Sequence, residues 1–278
     1  MGEMRDEALA LDALMLSRAY MYRLLGLLFG GEPNREFIET LVDQNTRDVL
    51  DEYREESPAI DELAGYLANL GVSFSDESID RARSEFTRVF VGPSTLPALP
   101  WGSPYESGDP VMFQKGTLKV REIYRLQGYR PARLQHVPDD HIALECNFMA
   151  RLAFGLAGSF EDADFATVRE GLVSQKSFLG QCMTGWIARY AVELKDSGKA
   201  PFYGRLVEAA AEFVRLDDVF LGEALQWLKD VAEIWQPSDL KQALEAASQS
   251  LASIREALQR LFALKLEHSE EFELVRAS

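Results

Sequence analysis

Apolar side chains return every three to four residues through most of this chain, the spacing that gives a helix one buried face. From residue 7 to 29 the stripe runs through Leu11, Leu14, Met15, Ala19, Tyr22, Leu25 and Leu28. Gly30-Gly31-Glu32-Pro33 ends it, first by freeing φ and then by removing a backbone donor. Asn34 predicts a cap for a short helix carrying Phe37, Ile38 and Leu41, and Pro58 the start of another with Leu63, Tyr66, Leu67 and Leu70, closed by Gly71. Asp76 opens the helix that delivers Phe86, Val89 and Phe90. Up to that point no segment alternates with period two, so no strand is expected.

Beyond residue 105 the same period resumes. Leu118 to Leu126 reads as a helix ending at Gly128 ahead of Pro131, and Asp139 or Asp140 is expected to cap the next, which carries Ile142, Leu144, Phe148, Met149, Leu152 and Phe154. One long pattern spans Asp164 to Leu194, with a break expected near Gly180, and Pro201 sits in the first turn of a helix with Leu206, Val207 and Phe213. Past Gly222 two further patterns run from Glu223 to Trp235 and from Ser238 to Leu266, and a charged tail is expected to fray. The periodicity therefore predicts an all-α fold, a single compact bundle of roughly ten helices, divided as 1–221 for the main body and 222–278 for a helical C-terminal extension.

At 278 residues and 47% hydrophobic the chain can bury a large core. Its formal charge of −16 disfavours a nucleic-acid partner and attracts a basic peptide. Two cysteines, Cys146 and Cys182, make no disulfide framework and fall within apolar helical patterns, as core thiols do. The acidic start Met1-Gly2-Glu3-Met4-Arg5-Asp6-Glu7 lacks the character of a secretory signal, and no apolar run approaches the ~20 residues that span a bilayer, so a cytoplasmic protein without stable membrane insertion is expected. Neither a phosphate loop nor a dinucleotide fingerprint is present. Trp227 and Trp235, eight apart, are expected on one helix face as core or dimer contacts.

One stretch departs from ordinary helix packing. Glu85-Phe86-Thr87-Arg88-Val89-Phe90-Val91-Gly92-Pro93 runs off a helix into Leu96-Pro97-Ala98-Leu99-Pro100-Trp101-Gly102-Ser103-Pro104-Tyr105, and Val137-Pro138-Asp139-Asp140-His141 opens a later helix. A loop so rich in proline and aromatic residues is a costly connector. Three readings of it stand side by side. Trp101 and Tyr105 seal one end of the bundle, with Asp140 as a helix cap and His141 as a hydrogen-bonded strut; or the loop walls a groove for an incoming apolar helix; or Asp140, His141 and Glu145 hold a metal in a metal-dependent helical enzyme, although their spacing matches no standard zinc pattern. With Asp140 within reach, a raised His141 pKa is expected.

Three motifs in this order, Glu85-Phe86-x-x-x-Phe90-x-Gly92-Pro93, Leu96-Pro97-x-x-Pro100-Trp101-Gly102-Ser103-x-Tyr105, and Pro138-Asp139-Asp140-His141 with Glu145 a turn on, resemble those of the TorD/DmsD family of redox-enzyme maturation chaperones, relatives of the NarJ type. Pro201-Phe202-Tyr203 extends the resemblance, which covers roughly residues 10 to 220. It implies an all-helical cytoplasmic chaperone that is not an enzyme and needs no cofactor of its own, monomeric or homodimeric. Its partners would be the twin-arginine leader and catalytic subunit of a molybdopterin oxidoreductase, held back from export until cofactor insertion is complete. Carried over position by position, Pro100, Trp101 and Tyr105 would form one wall of a leader groove and Pro138, Asp140 and His141 the other, with Glu85, Phe86, Phe90, Gly92, Pro93 and Pro97 shaping the loop. An aromatic face would take a leader arginine and Asp140 its N–H groups. Pro104 and Val137 depart from the family pattern, in which a small aliphatic and an acidic residue are usual.

Overall fold

The computed structural model describes residues 2–92, 95–109, 115–232, 238, 244 and 251–277. Two helices form its axis. α1 (Gly2–Gly30) and α8 (Ile142–Glu161) lie against each other along most of their length. From Leu11 on, α1 is buried nearly all round, as are the first nine residues of α8, the mark of helices enclosed by others rather than laid on a surface. Gly26 permits the contact, since a Cβ there would stand 2.4 Å from the Asn147 Oδ1.

Around this axis the local rules of helix initiation operate as the sequence indicates. α2 (Arg35–Leu41) starts where Asn34 Oδ1 accepts from the Phe37 N–H at 2.9 Å, and α4 (Pro58–Val72) follows the Ser57 cap with proline in its first turn. Between them α3 (Gln44–Arg54) is capped by Asp43, and α5 (Asp76–Phe86) by Ser75. α5 runs into a π turn, Thr87–Val91, that ends at Gly92 with φ of +85°, a conformation that favours glycine. α6 (Ser103–Ser107) and α7 (Lys115–Leu126) precede α8. The break expected near Gly180 is a π turn, Leu179–Met183, which separates α9 (Phe165–Phe178) from α10 (Ile187–Asp196).

The last quarter differs from the expected pattern in its helix and its tail, and one expected pair falls partly outside the described residues. α11 (Tyr203–Ala232) passes through Gly222 without a break, so the division placed after Leu221 falls inside a helix. Trp235 lies outside the described residues, while Trp227 donates its indole N–H to Glu7 at 3.0 Å and packs near Phe160. The charged tail is not frayed: after α12 (Ala252–Ala263) it forms a 3₁₀ turn, Ser269–Phe272, and a strand β2 (Leu274–Arg276) antiparallel to β1 (Tyr129–Pro131), Tyr129 opposite Arg276. Strands of three residues are too short to register as alternation.

Buried polar contacts hold the tail in place. Arg23 on α1 reaches Glu273 at 2.8 Å, Asn147 Oδ1 at 2.6 Å and the Leu261 carbonyl at 3.1 Å, and the Asn147 amide donates to the Phe272 carbonyl at 2.9 Å. Burial pushes the Glu273 carboxyl up, yet Arg23, Lys265 and Arg151 together hold it below the usual range. A second buried network joins α1 to α9 and α11: Arg18 pairs with Asp217 and donates to Gln175 at 2.7 Å, and Tyr22 donates to Asp217 at 2.6 Å. Removing one partner from such a pair strands the other charge, at about 3–5 kcal/mol. Among the described residues no helix is long and apolar enough to cross a membrane.

Candidate functional site

The proline loop and the start of α8 meet as a backbone joint. Trp101 and His141 form an antiparallel β-bridge, with the Ile142 N–H donating to the Pro100 carbonyl at 2.9 Å and the Gly102 N–H to the Asp140 carbonyl at 3.1 Å. Asp140 itself accepts from the Ser103 N–H at 2.6 Å, from the Ser103 hydroxyl, and from Thr117 Oγ1 at 2.9 Å. Its neighbour Asp139 takes Arg121 from α7, Nε to Oδ2 at 3.1 Å. Tyr105 stacks on Trp186 with ring centroids 5.6 Å apart and donates its hydroxyl to Glu193 at 3.2 Å. Gly102 lies against the same indole, where a Cβ would come within 2.9 Å of Nε1.

Pro100, Trp101, Tyr105, Pro138, Asp140 and His141 are therefore brought together, but as a closed joint in place of two facing walls. Trp101 is 9% exposed, Tyr105 7%, Asp140 2% and His141 4%, and the bridge joins Trp101 directly to His141 where a cleft was expected. The roles of the two helix-tip residues are also exchanged. His141, not Asp139 or Asp140, caps α8, its Nδ1 accepting from the Ala143 N–H at 3.2 Å while its ring packs against Phe272 at 4.6 Å. Burial pushes the His141 pKa down to about 3, the reverse of the rise expected from Asp140. In this joint Pro97 is half-buried; Pro93 lies outside the described residues.

Nothing in this arrangement favours a metal-dependent enzyme. The His141 Nδ1 is committed to the helix backbone, His136 is exposed, and among the described residues no three His, Cys, Asp or Glu side chains cluster closely enough to hold a metal ion. Glu145 is fully buried, and burial followed by the charge of Asp140 raises its pKa well above the usual carboxyl range against the opposing effect of Trp186. Cys146 and Cys182 are buried free thiols whose pKa values burial raises, which makes them poor nucleophiles.

An open groove lies elsewhere, where the Glu85 motif meets Pro201-Phe202-Tyr203. Glu85 is buried and accepts from the backbone N–H groups of Phe202 at 2.9 Å and Tyr203 at 2.7 Å, pinning the start of α11 to the end of α5. Burial still outweighs those two bonds and raises the Glu85 pKa. Phe86 and Phe90 pack on the Tyr203 ring at 6.1 and 5.1 Å. Above this floor opens a cleft of about 250 Å³ lined by Ile38, Tyr66, Leu70, Ala82 and Phe202, with Arg205 lying over Tyr66 at 5.0 Å. A second recess of about 270 Å³ continues from it across Pro201 and Arg205 to Glu62 and Glu208. Those carboxylates are neutralised from within, Glu62 by Arg205 at 3.5 Å and Glu208 by Lys195 at 2.8 Å. Tyr66, Leu70, Glu62 and Glu208 carried no signal as site residues, for each sits in an ordinary helical pattern. Pro201-Phe202-Tyr203 was the available clue.

The sequence is similar to that of known proteins. The model of the nitrate reductase delta subunit family matches residues 47–191. The chaperone protein TorD of Vibrio parahaemolyticus is 24% identical over 207 residues, 73% of this chain and 94% of that protein. TorD of Aliivibrio salmonicida is 23% identical over 212 residues, 76% of this chain and 97% of its own length. The Tat proofreading chaperone DmsD of Salmonella typhi is 31% identical over 119 residues, 43% of this chain and 55% of that relative.

Proposed function

Because the chain belongs to the nitrate reductase delta subunit family, with chaperones named TorD and DmsD among its relatives, we propose that it is a redox-enzyme maturation chaperone. In this reading it works in the cytoplasm without catalysing a reaction. It binds the twin-arginine leader and the apo catalytic subunit of a molybdopterin oxidoreductase, and releases them for export once the cofactor is in place.

The observation that carries the proposal is the groove between α2, α4, α5 and the start of α11. A twin-arginine leader offers two guanidinium groups followed by an apolar segment able to coil into a helix. Ile38, Tyr66, Leu70 and Phe202 form an apolar seat for such a segment, and the adjoining recess ends in Glu62 and Glu208. Incoming arginines would displace Arg205 and Lys195 from those carboxylates, and the two released cations, 40% and 60% exposed, would pass to water instead of being left buried. The proline-loop residues then serve as positioning residues. Asp140, Trp101 and His141 hold the loop against α8, and Phe90 and the π turn connect that loop to Tyr203 beneath the groove.

Calorimetry with a synthetic twin-arginine leader tests this reading. Wild type should bind in the micromolar range, about −8 kcal/mol. Leu70→Asp, which places a charge in the apolar seat, and a leader with both arginines replaced by glutamine should each weaken binding at least about tenfold. Equal binding by wild type and Leu70→Asp would place the leader on another surface.

A further inference from the structure

The acidity of this chain is not evenly spread. Residues 115–136 carry six lysines and arginines against Glu122 alone within a molecule of −16. Although Arg121, Arg125 and Arg133 are paired with Asp139, Glu122 and Glu270, the other three have no such partner among the described residues. The stretch comprises α7 and β1, and β2 adds Arg276 beside Tyr129. Lys115, Lys119, Arg130 and Arg276 are exposed and form no ion pair among the described residues; Lys119 bonds only the Gln181 carbonyl, and Arg276 lies over the Tyr129 ring at 4.3 Å. The same outer face of α7 shows Leu118, 56% exposed, and Leu126, 68% exposed, although Thr117, Val120 and Tyr124 satisfy the helix's inward face. Two leucines standing in water among unpaired cations are unexplained by the packing of this fold.

We propose that the outer face of α7, continued by the β1–β2 sheet, docks an acidic segment of a partner protein that also carries leucine or phenylalanine side chains. Charge complementarity selects the sign of the partner, and the exposed leucines require that it bring apolar groups as well. A twin-arginine leader cannot be the occupant, because its guanidinium groups would meet Lys115 and Lys119. A flat anionic bilayer fits less well, since the sheet borders a concave groove of about 670 Å³ that includes Tyr129, Phe154, Phe262 and Arg276, a shape that a protein segment can enter. This surface is separate from the leader groove in residues and in charge, so either can fail without the other.

The test uses the full chain and a fluorescent synthetic peptide built from repeats of Glu-Glu-Leu-Phe, with a Lys-Lys-Leu-Phe peptide and phosphatidylglycerol vesicles as controls, read by anisotropy and co-sedimentation. The acidic peptide should bind saturably, about tenfold more weakly in high salt than in low, and the basic peptide should not bind at this face. The triple variant Lys115→Glu, Lys119→Glu, Arg130→Glu should lose affinity at least about tenfold, and Leu118→Ser with Leu126→Ser should lose several-fold even in high salt, while both retain the circular-dichroism spectrum and the leader affinity of wild type. Absence of binding, binding unchanged in the triple variant, or binding to vesicles alone would overturn the proposal.

Discussion

Replacing Asp140 separates a positioning role from direct contact with a ligand. Its carboxylate is 2% exposed and receives the Ser103 N–H at 2.6 Å, the Ser103 hydroxyl, and the Thr117 hydroxyl at 2.9 Å. In Asp140→Ala the two hydroxyls, 3.1 Å apart, can turn to each other, but the Ser103 amide and one hydroxyl proton lose their acceptor. At about 1–3 kcal/mol for each buried group left without a partner, the loss is about 3 kcal/mol. For a chain of this size that lowers Tm by roughly 6–12 °C. Asp140→Asn keeps an oxygen for Ser103 and turns its amide toward Thr117 Oγ1, so only about 1 kcal/mol is lost. Urea unfolding followed by tryptophan fluorescence measures both, Trp101 and Trp186 lying within or against the joint. A direct arginine-binding role would reverse the pattern, with both variants near wild-type stability and both without leader affinity. Asp140→Ala within about 0.5 kcal/mol of wild type would mean that these buried contacts do not stabilise the joint.

Three further outcomes follow from the same contacts. Gly102→Ala drives a methyl to 2.9 Å from Trp186 Nε1 and should cost about 1–3 kcal/mol, measured as a lower urea midpoint at unchanged slope. Glu145 has a raised folded pKa, so its folded form keeps a proton that the unfolded chain releases above about pH 4.5; wild type should lose stability as pH rises from there, by up to about 1.4 kcal/mol per pH unit, and Glu145→Gln should lose that dependence and be the more stable protein at pH 7. Glu273 has a depressed folded pKa and the opposite sign: its contribution is present above the unfolded value and disappears as pH falls through the folded one, so Glu273→Gln should be destabilising at pH 7 and indistinguishable from wild type in strong acid.

Much of the helical frame was legible because it follows from short-range rules. Asn34 and Pro58 begin helices where a cap or a fixed φ should begin them, and the apolar stripe of α1 is the stripe that packs on α8. His141 was missed as a cap because an imidazole rarely fills that place, and two aspartates stood just before it. The tail was misread because what holds it is distant in sequence. Arg23 and Glu273 are ion-paired, yet nothing along either segment marks one as the partner of the other. The site divides in the same way. Six residues marked by resemblance do converge, which supports reading Trp101 and His141 as one unit, but their burial could not be seen from motif spacing. Tyr66 and Phe202, whose rings stand 6.1 Å apart at the groove, become neighbours only when Glu85 ties α11 to α5.

The central claim is that the leader lies in the groove floored by Glu85 and that the proline joint shapes this groove from a distance. Photocrosslinking tests it most directly, with a twin-arginine leader carrying a benzophenone in its apolar segment and adducts located by mass spectrometry. Adducts are expected at Tyr66, Leu70 and Phe202, and excess unlabelled leader should suppress them. Suppressible adducts at Trp101 or His141, with none in the groove, would contradict that claim.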